Sequence, residues 1–331
     1  MDHGTDDQSW LPQASLDVQR LRARVYQNIR EFFKQRNILE VDTPCLASAT
    51  STDVHINSFT THFDGSSSDG LQQQYYLSTS PEFFMKRLLA AGSGSIYQLC
   101  HVFRQSEFGA QHNPEFTMLE WYRVGMQYHD LMEEVATLVQ LLLKQDLKTT
   151  EYLTYQQAFV RYIEIDPLSA STSELQQCAE KFGFCTSAAG TADKDLYLDF
   201  LMSHQVQPRL GNARLTFVYE YPASQCALAQ LSPGNDQVAE RFELFVQGVE
   251  LANGFQELTD AQEQLARFES DLKVRAQQGA DVVQYDSHLI DALNAGLPDC
   301  SGVAVGIDRL IQLMLDQKKL GDVLAFPFNR A

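Results

Sequence analysis

Apolar residues recur at helical spacing over residues 16–36, where Leu21, Val25, Ile29, Phe32 and Phe33 fall four, four, three and one apart. That period gathers them on one face and predicts an amphipathic helix. Residues 38–41 predict a short strand, and Pro44 closes it, because proline cannot donate to a ladder. Residues 64–74, DGSSSDGLQQQ, predict a polar loop. Beyond it, Ser80 is placed to cap a helix, Pro81 to take its first position, and Gly92 to end it. Residues 101–123 open on Val102 and Phe103 and cross a polar loop at 107–111. They return as an alternating run through Phe116, Met118 and Trp121. This predicts two antiparallel strands, with Arg104 and Glu120 directed into one cleft. Leu131, Val135, Leu138, Val139 and Leu142 predict a helix over 130–144, and the mixed, acidic stretch 166–195 an insertion of small helices. A strand follows at 215–219, edged by Pro222. Strand-like runs then flank Gln247-Gly248, a second amphipathic helix covers 259–278 with Leu265, Phe268 and Leu272 inward, and an apolar helix covers 310–315. The sum is an α+β chain: a flexible segment over 1–15 and one large folded region over 16–331.

Composition narrows the function. With 44% hydrophobic residues, the 331-residue chain can bury a sizeable core. Its 25 Lys and Arg against 43 Asp and Glu leave a net charge of −18. That is a poor balance for gripping a phosphate backbone, so a long RNA partner is not expected. ATP remains accessible, since a few local arginines and a metal ion suffice for it. The one basic stripe is Arg20, Arg22, Arg24, Arg30, Lys34 and Arg36 on the first helix. The six cysteines form no CxxC and no zinc spacing, which reads as reduced thiols in a cytoplasmic protein. No signal peptide and no run of 18 apolar residues is present, so no membrane partner is expected.

Three blocks carry candidate chemistry. Arg104 at a strand end, opposite carboxylates, suits a site that brings two anions together, such as a carboxylate and a phosphate. Glu82, in the first turn of its helix, is favoured there by the macrodipole and is also placed to bind an amine. Glu243, Glu250 and Glu257 recur every seven residues. Seven is odd, so an unbroken strand would alternate their faces. Breaks at Gln247-Gly248 and at Asn253-Gly254 would reset that parity and bring all three into one cleft, where Mg2+ and a substrate ammonium would satisfy them. In the third block, Gly302 and Gly306 allow close approach of a ligand. Arg309 sits in a helix's first turn, against the dipole, and this points to a ligand-facing role.

Together these blocks resemble the three motifs of the class II aminoacyl-tRNA synthetases, lysyl type. The helix before Val41 and Pro44 is similar to motif 1, which builds a dimer interface. Phe103-Arg104 through HNPEFTMLEWYR is similar to motif 2, and GVAVGIDR, 302–309, to motif 3. HNPEFTM and ELANGFQEL are long, near-literal lysyl-type signatures. The expected anticodon-binding domain has no room ahead of residue 16. A lysyl-type core without it resembles the elongation factor P–(R)-β-lysine ligases.

That resemblance implies an antiparallel β-sheet flanked by α-helices, a homodimer, ATP as a substrate with Mg2+, and elongation factor P, not tRNA, as acceptor. It also implies roles. Arg104 bridges the amino acid carboxylate and the α-phosphate, and Phe116 and Arg309 sandwich the adenine. Gln105, Ser106, Glu107, His112, Asn113, Leu251 and Gly306 join them around the nucleotide. Glu243 and Glu250 hold magnesium. Ser80, Pro81 and Glu82 take the amine nearer the carboxylate. Glu257 and Tyr122, with Glu120, take the distal amine, and Ala304 floors the pocket.

Two positions depart from the pattern. Motif 2 reads Arg-x-Glu, but Ser106 stands at the glutamate position and Glu107 follows it. Motif 3 has a middle glycine where this chain has Ala304. Two other readings stand beside the ligase: a truncated synthetase charging tRNA with lysine, and a non-catalytic paralogue. The charge and the missing domain weigh against the first, and the presence of Arg104, Arg309 and the three glutamates against the second.

Overall fold

The computed structural model describes residues 10–63, 74–143, 147, 149–185, 193–281 and 283–331. Residues 1–9, nearly all of the polar stretch 64–74, Lys144 at the end of the 130–144 helix, and 186–192 of the acidic stretch lie outside the described residues. The chain divides into two compact units. The first takes residues up to Trp121, 260–297 and 306–331; the second takes 122–259 and 298–305.

In the first unit, Ser15 caps the helix Leu16–Lys34 by accepting the Val18 N–H, and the helix buries Val25, Ile29, Phe32 and Phe33. Phe33 stacks on Tyr97 with ring centroids 4.2 Å apart and meets Trp121 edge-on at 5.4 Å. These contacts dock the helix on three strands, in the order Leu39–Glu40, Ile96–Phe103, Glu115–Val124. The Leu39–Glu40 strand runs parallel to its neighbour. The sheet expected to be antiparallel takes this parallel pair because the chain crosses over through the helix Glu82–Ala90 before re-entering the sheet. A small antiparallel sheet joins Leu46–Ala47, Gln74–Leu77 and Thr60–His62. The helix Ala261–Gln277 buries Phe268, as its period predicts, but Leu265 and Leu272 are only half-buried. Its other buried residues are Gln264 and Arg275. Helices Ser287–Gly296 and Ile307–Met314 complete the unit.

The basic stripe is largely dissolved into internal contacts. Arg20 pairs with Asp17 and Arg30 with Glu40. Arg36 lies over the Phe32 ring, and Arg22 is buried against Asp308. Of the six cations, Arg24 and Lys34 stand exposed with no contact of these kinds described for them.

The second unit is a sheet in the order Cys300–Gly306, Val249–Gln256, Asn235–Val246, Leu215–Pro222, Thr150–Thr154, with Leu231–Ser232 against Asn235–Val246. All neighbours are antiparallel except the last two of the five, again joined by a helical crossover. Helices Tyr155–Ile163 and Thr172–Lys181 both start at capping boxes, Thr154 with Gln157 and Ser171 with Glu174. With Lys194–Leu201 they close a core around Phe159, Leu198, Val218 and Phe245. The helix Tyr128–Leu143 buries the five residues its period marked.

Candidate active site

In the first unit the strand ends and the connection 104–114 assemble one cluster of polar side chains. Arg104 leaves the strand Ile96–Phe103 with its own N–H bonded to the Pro114 carbonyl, 2.8 Å. Its guanidinium donates to the Thr79 carbonyl at 3.4 Å and to Glu107 at 3.2 Å, and lies 5.2 Å from the Phe116 ring centroid. Glu107, which follows the serine at the motif 2 glutamate position, is thus engaged by Arg104. Ser106 accepts a hydrogen bond from the Asn57 amide at 3.1 Å. His112 and Arg309 meet at 2.9 Å. Asn113 is buried between backbone groups: its amide donates to the Glu115 carbonyl and its oxygen accepts from the Phe328 N–H. That anchors the carboxyl-terminal turn to the strand Glu115–Val124.

Ser80 donates to the buried Glu120 carboxylate at 2.7 Å and accepts the Glu82 N–H at 3.0 Å. The helix begins at Glu82, one residue later than its sequence predicts, and Pro81 takes the cap position. Glu82 is ion-paired at 2.7 Å with Lys86, one turn on and almost wholly buried. Sequence reading missed Lys86 because its spacing puts it among apolar residues, where a lysine is rarely found. Burial also pushes the Cys100 thiol up, and the nearby Glu120 charge adds to the shift.

In the second unit the register gathers the glutamates. The hairpin turns at Gln247 and Gly248, both with positive φ, as the sequence predicts. Glu243 pairs with Asn253 and Phe245 with Glu250, so a bulge between Leu244 and Phe245 leaves Leu251 as the extra residue. That bulge, and not a break at Asn253-Gly254, resets the parity. Asn253 and Gly254 lie in regular ladder opposite Glu243 and Phe242. The alternation then puts Glu243, Glu250, Asn253 and Glu257 on one face, with Ala304 paired to Asn253.

Arg241 shares that face. It bonds Glu243 at 2.5 Å and Asn253 at 3.3 Å, and its guanidinium lies 4.5 Å from the Tyr221 ring centroid. Burial is the main cause that pushes the Glu243 carboxyl up to about 7; Arg241 opposes the shift and Glu250 adds to it. Among the described residues no group of three or more His, Cys, Asp or Glu could hold a metal by itself. Two carboxylates on one face, one of them disfavoured as an anion, nonetheless fit an ion that takes its remaining oxygens from phosphates and water.

Gly302, paired with Phe255, stands under the Tyr122 ring and the Glu257 carboxylate, both closer than a Cβ would tolerate. Glycine at 302 therefore serves those two side chains as well as any ligand. Ala304, half-buried, is the methyl-bearing position between Gly302 and Gly306 on the same strand face.

A mixed sheet with motif 2 and motif 3 side chains of this kind defines a class: the model of the class II tRNA synthetases (D, K and N) matches residues 12–330, and the chain belongs to that family. It is similar throughout to particular members. It is 50% identical over 323 residues to the elongation factor P–(R)-β-lysine ligase of Vibrio atlanticus (strain LGP32), covering 98% of this chain and 99% of that protein. Proteins of the same name from Salmonella arizonae and Salmonella typhi are 50% identical over 324 residues, 98% of each chain.

Proposed function

We propose that this chain is an ATP-dependent ligase that activates (R)-β-lysine as an aminoacyl-adenylate and transfers it to a lysine ε-amine of translation elongation factor P. The observation that carries this reading is 50% identity across essentially the full length of relatives bearing that name. In the first step a carboxylate oxygen attacks the α-phosphorus of ATP and pyrophosphate leaves. Arg104 lowers the charge between the two anions. Phe116 and Arg309 take the adenine, with Gln105, Ser106, Glu107, His112, Asn113, Leu251 and Gly306 around the nucleotide. In the second step the acceptor amine attacks the carbonyl carbon, AMP leaves, and the amine proton passes to solvent.

Glu243 and Glu250 would hold Mg2+, which supplies charge neutralisation on the phosphates when bound. Glu257 and Tyr122 take the distal ammonium of the substrate. Glu82 takes the other, and Glu120, which the resemblance put with the distal amine, is assigned beside Glu82 instead because Ser80 bonds both. The Glu82–Lys86 pair leaves less net charge for that amine than an isolated carboxylate would, and this favours a shared hold over a single contact. Residues 16–331 form the catalytic region, and the helix Leu16–Lys34 is assigned to a homodimer interface. A net charge of −18 supports a protein acceptor over tRNA. A translation factor as acceptor implies a cytoplasmic location. Among the described residues no helix is long and apolar enough to cross a membrane.

ATP–pyrophosphate exchange across a panel of amino acids, with both lysine isomers, tests the first step. Mass spectrometry of elongation factor P tests the second. Exchange driven by (R)-β-lysine and a matching mass increase on the factor are expected. Exchange with α-lysine alone, followed by charging of tRNA, would replace this reading with the truncated synthetase.

A further inference from the structure

The helix Ala261–Gln277 turns a guanidinium into the protein interior. Arg275 is 2% exposed, and a buried arginine is tolerated only where its N–H groups find acceptors. Its Nε donates to the Asp281 carbonyl at 3.1 Å. One terminal nitrogen donates to the carbonyls of Asp53 and Ile56, at 2.7 and 3.4 Å, and the other to the Asn57 side-chain oxygen at 3.3 Å. One turn earlier on the same helix, Asp271 accepts from the Thr52 hydroxyl at 2.8 Å. The 53–56 turn is tightened from within, since Asp53 Oδ1 accepts the His55 N–H and the Asp53 carbonyl accepts the Ile56 N–H.

Asn57 passes this constraint on. Its carbonyl accepts the Gln105 N–H at 2.8 Å, and its amide nitrogen donates to Ser106 Oγ at 3.1 Å. Gln105 and Ser106 directly follow Arg104 and open the connection that leads to His112. A surface loop of this length does not hold one shape unaided. Here its first two residues are clamped by an asparagine, and that asparagine is itself clamped by a buried arginine.

We propose that Asn57 and Arg275 are positioning residues for the nucleotide, holding the 104–112 loop in its ATP-binding shape, with Ser106 as the group through which the hold is exerted. The serine at the motif 2 glutamate position then has a function of its own: it is the right length and polarity to accept from Asn57. The inference rests on the proposed reading of 104–112 as a nucleotide loop.

The test uses the full-length protein and reads ATP affinity directly by isothermal titration calorimetry without amino acid, beside KM for ATP and for the amino acid in pyrophosphate exchange. Asn57→Ala removes the side-chain bonds and leaves the backbone bond to Gln105. It is expected to weaken ATP binding about five- to thirtyfold, the loss of one or two ordinary hydrogen bonds. KM for the amino acid should change by less than about twofold, within the scatter of an uninvolved site. Asn57→Ala and Ser106→Ala together should cost clearly less than the product of the single effects. Arg275→Lys, which keeps the charge but loses the planar fork, should show the same ATP-selective loss; Arg275→Met serves only if it folds.

Unchanged ATP affinity in Asn57→Ala, or an equal rise in both KM values with a lowered Tm, would overturn the proposal, as would fully multiplicative effects of Asn57 and Ser106. A native protein that binds ATP but exchanges with no lysine isomer refutes the ligase reading and leaves the calorimetric arm decisive for this one. A native protein that does not bind ATP refutes both.

Discussion

The guanidinium of Arg22 lies 2.5 Å from the carboxylate of Asp308, with the two side chains 13% and 3% exposed. Arg22 also donates to Tyr26 and to the Val323 carbonyl, and Asp308 accepts the Thr117 N–H at 2.7 Å. Burial is the largest influence and opposes the Arg22 charge, but Asp308 and Tyr26 together outweigh it, so the arginine's pKa is raised. This pair ties the first helix, the strand that carries Phe116 and the turn that carries Arg309. Removing one partner leaves the other charge buried alone. Asp308→Ala is expected to cost about 3–5 kcal/mol of stability. Arg22→Met with Asp308→Leu should recover much of that loss, because a matched apolar pair leaves no stranded charge. Equilibrium urea unfolding measures both, and a single variant as stable as the parent would show that the pair contributes nothing.

The two glutamates that flank the hairpin's return strand are assigned different partners, so their variants should fail differently. Glu250→Gln is expected to lose adenylation mainly through metal and phosphate binding, seen as a raised Mg2+ requirement. Glu257→Gln should raise KM for the diamino substrate by roughly 10- to 150-fold, the worth of one charged hydrogen bond. Pyrophosphate exchange with neutral analogues decides the matter: if Glu257→Gln keeps the full preference for lysine-like substrates, its partner is not the distal amine.

Magnesium dependence should track the protonation of Glu243. Its carboxyl is pushed up to about 7, chiefly by burial, so below that pH it holds a proton that the metal must displace. The sign follows: Mg2+ binds more weakly as pH falls. One such proton predicts about a tenfold rise in the half-saturating Mg2+ concentration from pH 8 to pH 6. Glu243→Gln should flatten that dependence while weakening the metal throughout. A native Mg2+ requirement that does not change across this range would remove Glu243 from the metal site.

Ala304 and Gly302 occupy the same strand face and should respond oppositely to the size of a methyl group. On the proposed reading the Ala304 methyl narrows the pocket floor, and α- and β-amines lie one carbon apart. The native protein is expected to prefer (R)-β-lysine, and Ala304→Gly to shift the ratio towards α-lysine by at least about tenfold, the scale of a methylene-sized change in a pocket. Gly302→Ala should instead abolish activation of both isomers, because its methyl would displace the Tyr122 ring and the Glu257 carboxylate. Competitive exchange with both isomers reads the two effects. A preference for α-lysine in the native protein would sink the β-lysine assignment itself.

Sequence alone determined what local periodicity and side-chain chemistry can determine. It marked the amphipathic helices, the strands around Arg104 and Glu250, the turn at Gln247-Gly248, and the residue types that handle phosphate and ammonium groups. Those features are set by a few neighbours along the chain, so a window of sequence contains their cause. Only the tertiary structure decided what depends on partners far away in the chain. The parity of the glutamates is reset by a bulge at Leu244/Phe245, and a bulge belongs to a pairing register that neither strand carries by itself. The arginines of the first helix looked like one exposed stripe, yet Arg22 finds Asp308 and Arg30 finds Glu40. Whether a charge is solvated or buried is fixed by what packs over it. Nothing along the chain marks Lys86 and Arg275 as buried, for the same reason. Their burial, and the acceptors that make it tolerable, exist only once the helices Glu82–Ala90 and Ala261–Gln277 are packed in place.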